Sequence, residues 1–151
     1  RCAVPSNQQE KLQELVKAGK LERVPFKAKI FAQQIQSCSQ SRTDAQALLD
    51  NESIQGSFVL AYTYIRKAAT LLLYRRGVRP TARGGHRVIF DALGVDQRVP
   101  YELTKTYDNL RAKRNSIEYP ESFIESVEPG LILQCFEIGD QLLAIAQSVS
   151  S

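Results

Sequence analysis

The chain has 151 residues, 43% hydrophobic and 24% charged, with twenty Lys plus Arg against sixteen Asp plus Glu. That length suffices for one domain with a single solid core, and no apolar run approaches the roughly 20 residues that span a bilayer. Three widely spaced cysteines, Cys2, Cys38 and Cys135, and a lone histidine, His86, argue against a zinc site or a disulfide framework and fit a reducing cytosol. No secretory pattern opens the chain. It also holds no Met, so the expectation is a trimmed chain, a processed product or a piece of a longer protein.

Ser6 begins a first helix, with Gln9 three residues on in a capping-box pattern. Leu12, Leu15 and Val16 give it one apolar face, and Gly19 closes it. Val24, Pro25 and Phe26 form a connection. A second helix runs from about Lys27 to about Ser39, with Ile30, Phe31, Gln34, Ile35 and Cys38 on one face. The polar run SCSQSRTDAQ predicts a break near Ser41, with a short helical turn over Ala45–Leu49. Ser53 is placed as the N-cap of a third helix, Ser53–Tyr74. Phe58, Ala61, Tyr62, Ile65, Ala68, Ala69 and Leu72 repeat at helical spacing there, and Val59, Leu60, Leu71 and Leu73 add apolar surface off that face. A helix apolar on several sides is a central one.

The basic segment RRGVRPTARGGHR follows. Its Gly84–Gly85 pair offers backbone N–H groups to an anion at a helix start, although such a pair standing alone is more often a plain turn. The segment is no P-loop, because the GK[ST] ending is missing. A short helix spans Arg87–Leu93 and stops at Gly94. Pro100 fits the first turn of the next helix, and Pro120 ends it. After Ser122–Val127, Pro129 opens the last helix, which buries Ile132, Cys135, Phe136, Gly139, Leu142, Leu143 and Ala146. No strand alternation stands out. The pattern predicts an all-α, up-and-down bundle of about five main helices.

The helix before Pro120 carries the chemistry. Leu103, Tyr107, Leu110, Arg114 and Ile117 recur at steps of four and three, one buried stripe with a guanidinium set in it. Such a charge must be paired or reach a solvated cleft. Asn115 adjoins it, and Arg111 and Glu118 lie about a turn away, so the bland alternative is an Arg114–Glu118 surface pair. Charge is concentrated in the same region. Residues 75–114 hold ten Lys or Arg against four acids, net +6, which leaves −2 for the rest of the chain. That distribution suits a polyanion binder and equally a solvated basic loop. Arg75, Arg76, Arg79, Arg83, Arg87 and Arg111 are its candidate RNA contacts.

RNSIEY at Arg114–Tyr119 resembles the Arg-Asn-x-x-x-His signature of HEPN domains, small helical proteins of prokaryotic toxin–antitoxin, abortive-infection and CRISPR systems. RGGHRVIFDAL at Arg83–Leu93, followed by LRAKRNSIEY at Leu110–Tyr119, resembles a subgroup whose motif ends in Tyr. The resemblance implies a HEPN-like bundle, a homodimer with two motifs meeting across a cleft, and metal-independent attack of a ribose 2′-OH on its own phosphate, without cofactor. It casts Arg114 as the cation and Asn115 as the orienting group. Tyr119 stands where the family has its catalytic His, and His86 is the rival proton carrier. Tyrosine, with a reference pKa of about 10, suits that task poorly. Two further readings stay open: a non-catalytic module, whose Tyr119 a partner antitoxin of the nucleotidyltransferase type modifies, and a helical scaffold domain of a larger protein.

Overall fold

The computed structural model describes residues 7–118 and 127–148. In chain order these form α1 (Asn7–Lys17), β1 (Leu21–Arg23), α2 (Ala28–Asp50), α3 (Ile54–Arg75), β2 (Val78–Pro80), α4 (Arg87–Leu93), α5 (Tyr101–Glu118) and α6 (Pro129–Ser148). The protein is thus mostly helical, as its periodicity predicts. The expected Ser6 cap and the Pro120 stop lie outside the described residues.

The multi-sided helix is the centre. α3 buries twelve residues, including Phe58, Tyr62, Tyr64, Ile65, Leu71 and Leu72, and α2, α4, α5, α6 and β2 all pack on it. α2 and α3 run antiparallel, because cross-links between them descend one helix as they climb the other. The Ser57 hydroxyl donates to the Ala45 carbonyl (2.6 Å), Cys38 Sγ points at the Tyr64 carbonyl (3.7 Å), and the Lys27 amide donates to the Tyr74 hydroxyl (2.8 Å). The turn between them is closed by Glu52 at φ 61° and a Ser53 N–H to Leu48 carbonyl bond of 2.8 Å, the geometry of a helix C-cap. α1 ends likewise at Gly19, φ 74°, with Lys20 N–H bonded to the Leu15 carbonyl.

Three sequence expectations are corrected. α2 does not break near Ser41 but continues to Asp50. The polar run stays helical because its small hydroxyls return to the helix: Ser41 Oγ donates to the Ser37 carbonyl and Thr43 Oγ1 to the Ser39 carbonyl. Lys67 from α3 then donates to Ser37 Oγ (3.0 Å) and Ser41 Oγ (2.9 Å), so tertiary contacts outweigh propensity. Second, Leu21–Arg23 pairs antiparallel with Val78–Pro80. Three-residue strands are too short to show alternation. Third, Ser53 occupies the N-cap position of α3 without a side-chain cap hydrogen bond.

α6 is fastened to the α2–α3 pair by one polar group. Arg42 of α2 forms a two-pronged ion pair with Asp140 of α6, both distances 2.9 Å, and Tyr64 Oη of α3 donates to the same carboxylate. Burial alone raises the Asp140 pKa, but the hydrogen bonds from Arg42 and Tyr64 outweigh it and hold it below the usual carboxylate value. Arg42 also lies over the Phe136 ring, 4.5 Å from its centroid. Beside them, Gly139 leaves room for Tyr64: a Cβ there would sit 2.3 Å from the ring. Gly139→Ala therefore forces the ring or the helix aside. It is expected to lower stability by about 1–3 kcal/mol, read as a fall in the urea midpoint; an unchanged midpoint would show that α6 and α3 are not in close contact here.

Cys38 and Cys135 are fully buried, and burial pushes their thiols up to about 11 and about 12. They behave as small core residues, as Cys135 was expected to. Among the described residues no helix is long and apolar enough to cross a membrane.

Candidate functional site

α5 packs through the stripe its sequence predicts. Leu103, Tyr107 and Leu110 are buried, while Arg114 and Ile117, one and two turns further on, are partly exposed. The guanidinium is therefore not in the core but at its rim. Its centre lies 5.5 Å from the centroid of the Tyr62 ring of α3, a cation–π contact. Tyr62 in turn meets Tyr107 edge-on at 5.8 Å, and Tyr107 meets Phe90 of α4 at 4.3 Å. Arg111, a turn before Arg114, covers Phe90 at 5.4 Å and is paired with Asp108 at 3.0 Å. Three helices thus meet in a line of three rings, with two arginines laid across its outer edge.

The electrostatics of this line follow from burial. The Tyr62 hydroxyl is pushed above the ordinary tyrosine value by burial, against the pull of Tyr107 and of Arg114, Arg111 and Arg66. Tyr107 is driven well above it, again by burial first and then by Tyr62. Both phenols stay neutral at physiological pH. Neither makes a hydrogen bond of ordinary geometry, although each is near enough to the other to sense it. Arg66 follows Tyr62 by one turn of α3, and Arg114, Arg111 and Arg66 each ease the charging of that phenol.

The remaining predicted residues are spread more widely. Asn115 is half-buried beside Arg114, and His86 is exposed at the N-cap of α4, one turn before Phe90. Tyr119 lies outside the described residues. Arg75 covers the Phe26 ring at 4.5 Å, and Arg76 grips the buried Asp96 with two bonds of 3.0 Å, so that side chain is structural. Arg79 pairs with Glu22 across the two strands. Arg83 and Arg87 are exposed, Arg83 lying against Gly19.

The Gly84–Gly85 pair does not present its amides outward. Both N–H groups turn in to the Thr81 carbonyl, at 3.1 and 3.2 Å. A Cβ at Gly84 would lie 2.3 Å from the Lys20 carbonyl oxygen, so this glycine permits a close backbone crossing. Packing, not anion binding, accounts for it.

Two further residues, Arg66 and Tyr101, were not read as functional from the sequence. Arg66 was passed over because it falls between the apolar positions of a helix read as core. Tyr101, 76% exposed at the start of α5, lines an open cleft of about 370 Å³ with Arg87, Phe90, Lys105 and Asp108. An aromatic so exposed beside cations was a legible signal. Among the described residues no group of three His, Cys, Asp or Glu is arranged to hold a metal. No protein-family model matches the sequence, and no curated protein or solved structure matches it either.

Proposed function

We propose that this protein is a HEPN-like RNA-binding domain that cleaves RNA weakly, without metal, at a cleft around Arg114 and Asn115 at the end of α5. The observation that carries the reading is the seating of Arg114 on the Tyr62 ring beside Asn115, with Arg66 one turn from Tyr62 on α3. A guanidinium laid on a ring uses its face there. Its edge carries the donors that match a phosphate. In the reaction, the ribose 2′-oxygen bonds to phosphorus as the bond to the 5′-oxygen breaks. The 2′-OH loses a proton and the 5′-oxygen gains one. Arg114 stabilises the charge that builds on the non-bridging oxygens. Asn115 orients the phosphate, and His86 is the rival proton carrier to Tyr119, because a tyrosine, with a reference pKa of about 10, suits that task poorly. Two copies joined through the Arg114 face form the working cleft, so sedimentation at tens of micromolar protein is expected to report a dimer.

Arg114→Ala is expected to reduce cleavage of a fluorogenic single-stranded RNA by about 10²–10³-fold, with the melting temperature measured alongside to separate chemistry from folding. Tyr119→Phe is expected to cost little. Tyr119→His restores a group with a reference pKa near 6.5 at the position where the HEPN signature has its His and is expected to raise the rate, and His86→Ala to lower it. Undiminished cleavage by Arg114→Ala would overturn the mechanism. Absence of cleavage in both the parent and Tyr119→His would leave a domain that binds without cutting.

A further inference from the structure

A second positively charged surface lies away from the Arg-Asn motif. Where α2 and α3 run side by side, a depression of about 230 Å³ is lined by Gln34, Ser37, Arg66, Lys67, Thr70 and Leu71. A second, of about 430 Å³, includes Arg23, Lys27, Gln34, Thr70, Tyr74 and Arg79. Gln34 and Thr70 belong to both, so the two are one continuous groove. Five cations line it, Arg66 and Lys67 at one end and Arg23, Lys27 and Arg79 at the other, and no carboxylate is among the lining residues. Glu22, which precedes Arg23, is paired with Arg79. Arg23, Lys27 and Arg66 form no ion pair among the described residues. Like charges held along one furrow repel one another, so the arrangement is stabilised by a ligand that is negative along its length.

We infer that the α2–α3 groove binds the sugar–phosphate backbone of a single-stranded nucleic acid and leads it to Arg66, beside the Tyr62–Arg114 cluster. From Arg66 to Tyr74 the groove follows about 12 Å of helix, at roughly 1.5 Å per residue, and the strand pair extends it. Its width favours one strand over two, because packed helices sit only about 8–10 Å apart and leave a furrow that no duplex enters. Gln34 and Ser37 supply side-chain donors for phosphate and ribose oxygens between the cations, Ser37 while accepting from Lys67. Thr70, whose hydroxyl donates to the Arg66 carbonyl, offers an acceptor for a ribose hydroxyl. A charge at every repeat is the rule for a nucleic acid, whereas a peptide needs an unbroken acidic run to match it.

The destination of the strand rests on the function proposed above; its binding in the groove does not. The test uses the full chain and a fluorescently labelled single-stranded RNA of about ten nucleotides, with affinity read by anisotropy across a salt series. Arg23 and Lys27 are exposed, so Arg23→Ala/Lys27→Ala leaves the fold intact, which its melting temperature verifies. The double change is expected to weaken binding about tenfold or more and to flatten the log–log salt slope by about 1.4, at roughly 0.7 per lost phosphate contact. Unchanged affinity and slope overturn the proposal. Equal competition by duplex RNA or by polyglutamate overturns the single-strand assignment. The Arg114→Ala variant keeps the two readings apart: lost cleavage with retained binding is expected there, whereas the groove variant is expected to raise KM and leave kcat as it was.

Discussion

Ile65→Asp is expected to leave the chain unfolded at 25 °C. Ile65 has no exposed surface and lies midway along α3, the helix on which the others pack. Removing its side chain from the core gives up about 1.5–3 kcal/mol of burial. The incoming carboxyl must lose its hydration or its charge, which costs several kcal/mol more. A domain of this size has only about 5–15 kcal/mol of net stability to lose. Far-UV circular dichroism and a thermal melt test this, with Ile65→Val, at about 0.5–1.5 kcal/mol, as the mild control. A parent-like melt for the Asp variant would remove α3 from the centre of the fold.

Arg76→Ala is expected to destabilise the protein by about 3 kcal/mol, the larger part arising from what it leaves behind. Asp96 is buried and takes both prongs of Arg76, together with Gln8 Nε2 at 3.2 Å and the Arg98 amide at 2.9 Å. The two surviving donors satisfy hydrogen bonds but do not neutralise the charge. Replacing Arg76 and Asp96 together by leucine is expected to recover part of the loss, since the uncompensated carboxylate goes as well. Urea denaturation of the single and double variants measures the difference. A single-variant loss below about 1 kcal/mol would mean that this pair matters no more than a surface contact.

Where the chain's periodicity was strong, the sequence was a good guide. α3, α4, α6 and the Leu103–Leu110 stripe of α5 were legible because burial imposes the spacing of apolar residues on each helix. Ser41 misled because propensity reads a residue alone, and here Lys67 reaches it from 26 positions away. Leu21–Arg23 and Val78–Pro80 were illegible because each strand is defined by a partner 55 to 59 positions distant. The charge concentration over residues 75–114 was correctly counted, but a count carries no direction. Arg76 faces Asp96, Arg79 pairs with Glu22, and the groove instead gathers cations from residues 23, 27, 66 and 67, which the count had set aside. Arg114 was singled out as a charge on a buried stripe. Its seat on Tyr62 was beyond reach, because helix spacing alone does not reveal which ring of another helix lies opposite.

The pairing of β1 with β2 bears on how the molecule folds. By sequence it closes a loop of more than fifty residues, an entropically slow event for a free chain. By geometry the search is almost over before it starts. Once α2 and α3 have zipped together from their tight turn at Glu52, the Lys27–Tyr74 bond brings the two outer ends of that hairpin side by side. Only Val24–Phe26 on one side and Arg75–Gly77 on the other then separate that bond from the strands. The long loop becomes a short one, so the clasp is expected to form after the hairpin rather than as its nucleus. In the native state a local opening of this clasp would leave α2 and α3 paired, at the cost of exposing the buried Leu21 and Val78. Arg23 and Arg79, at the mouth of the groove, would move with it.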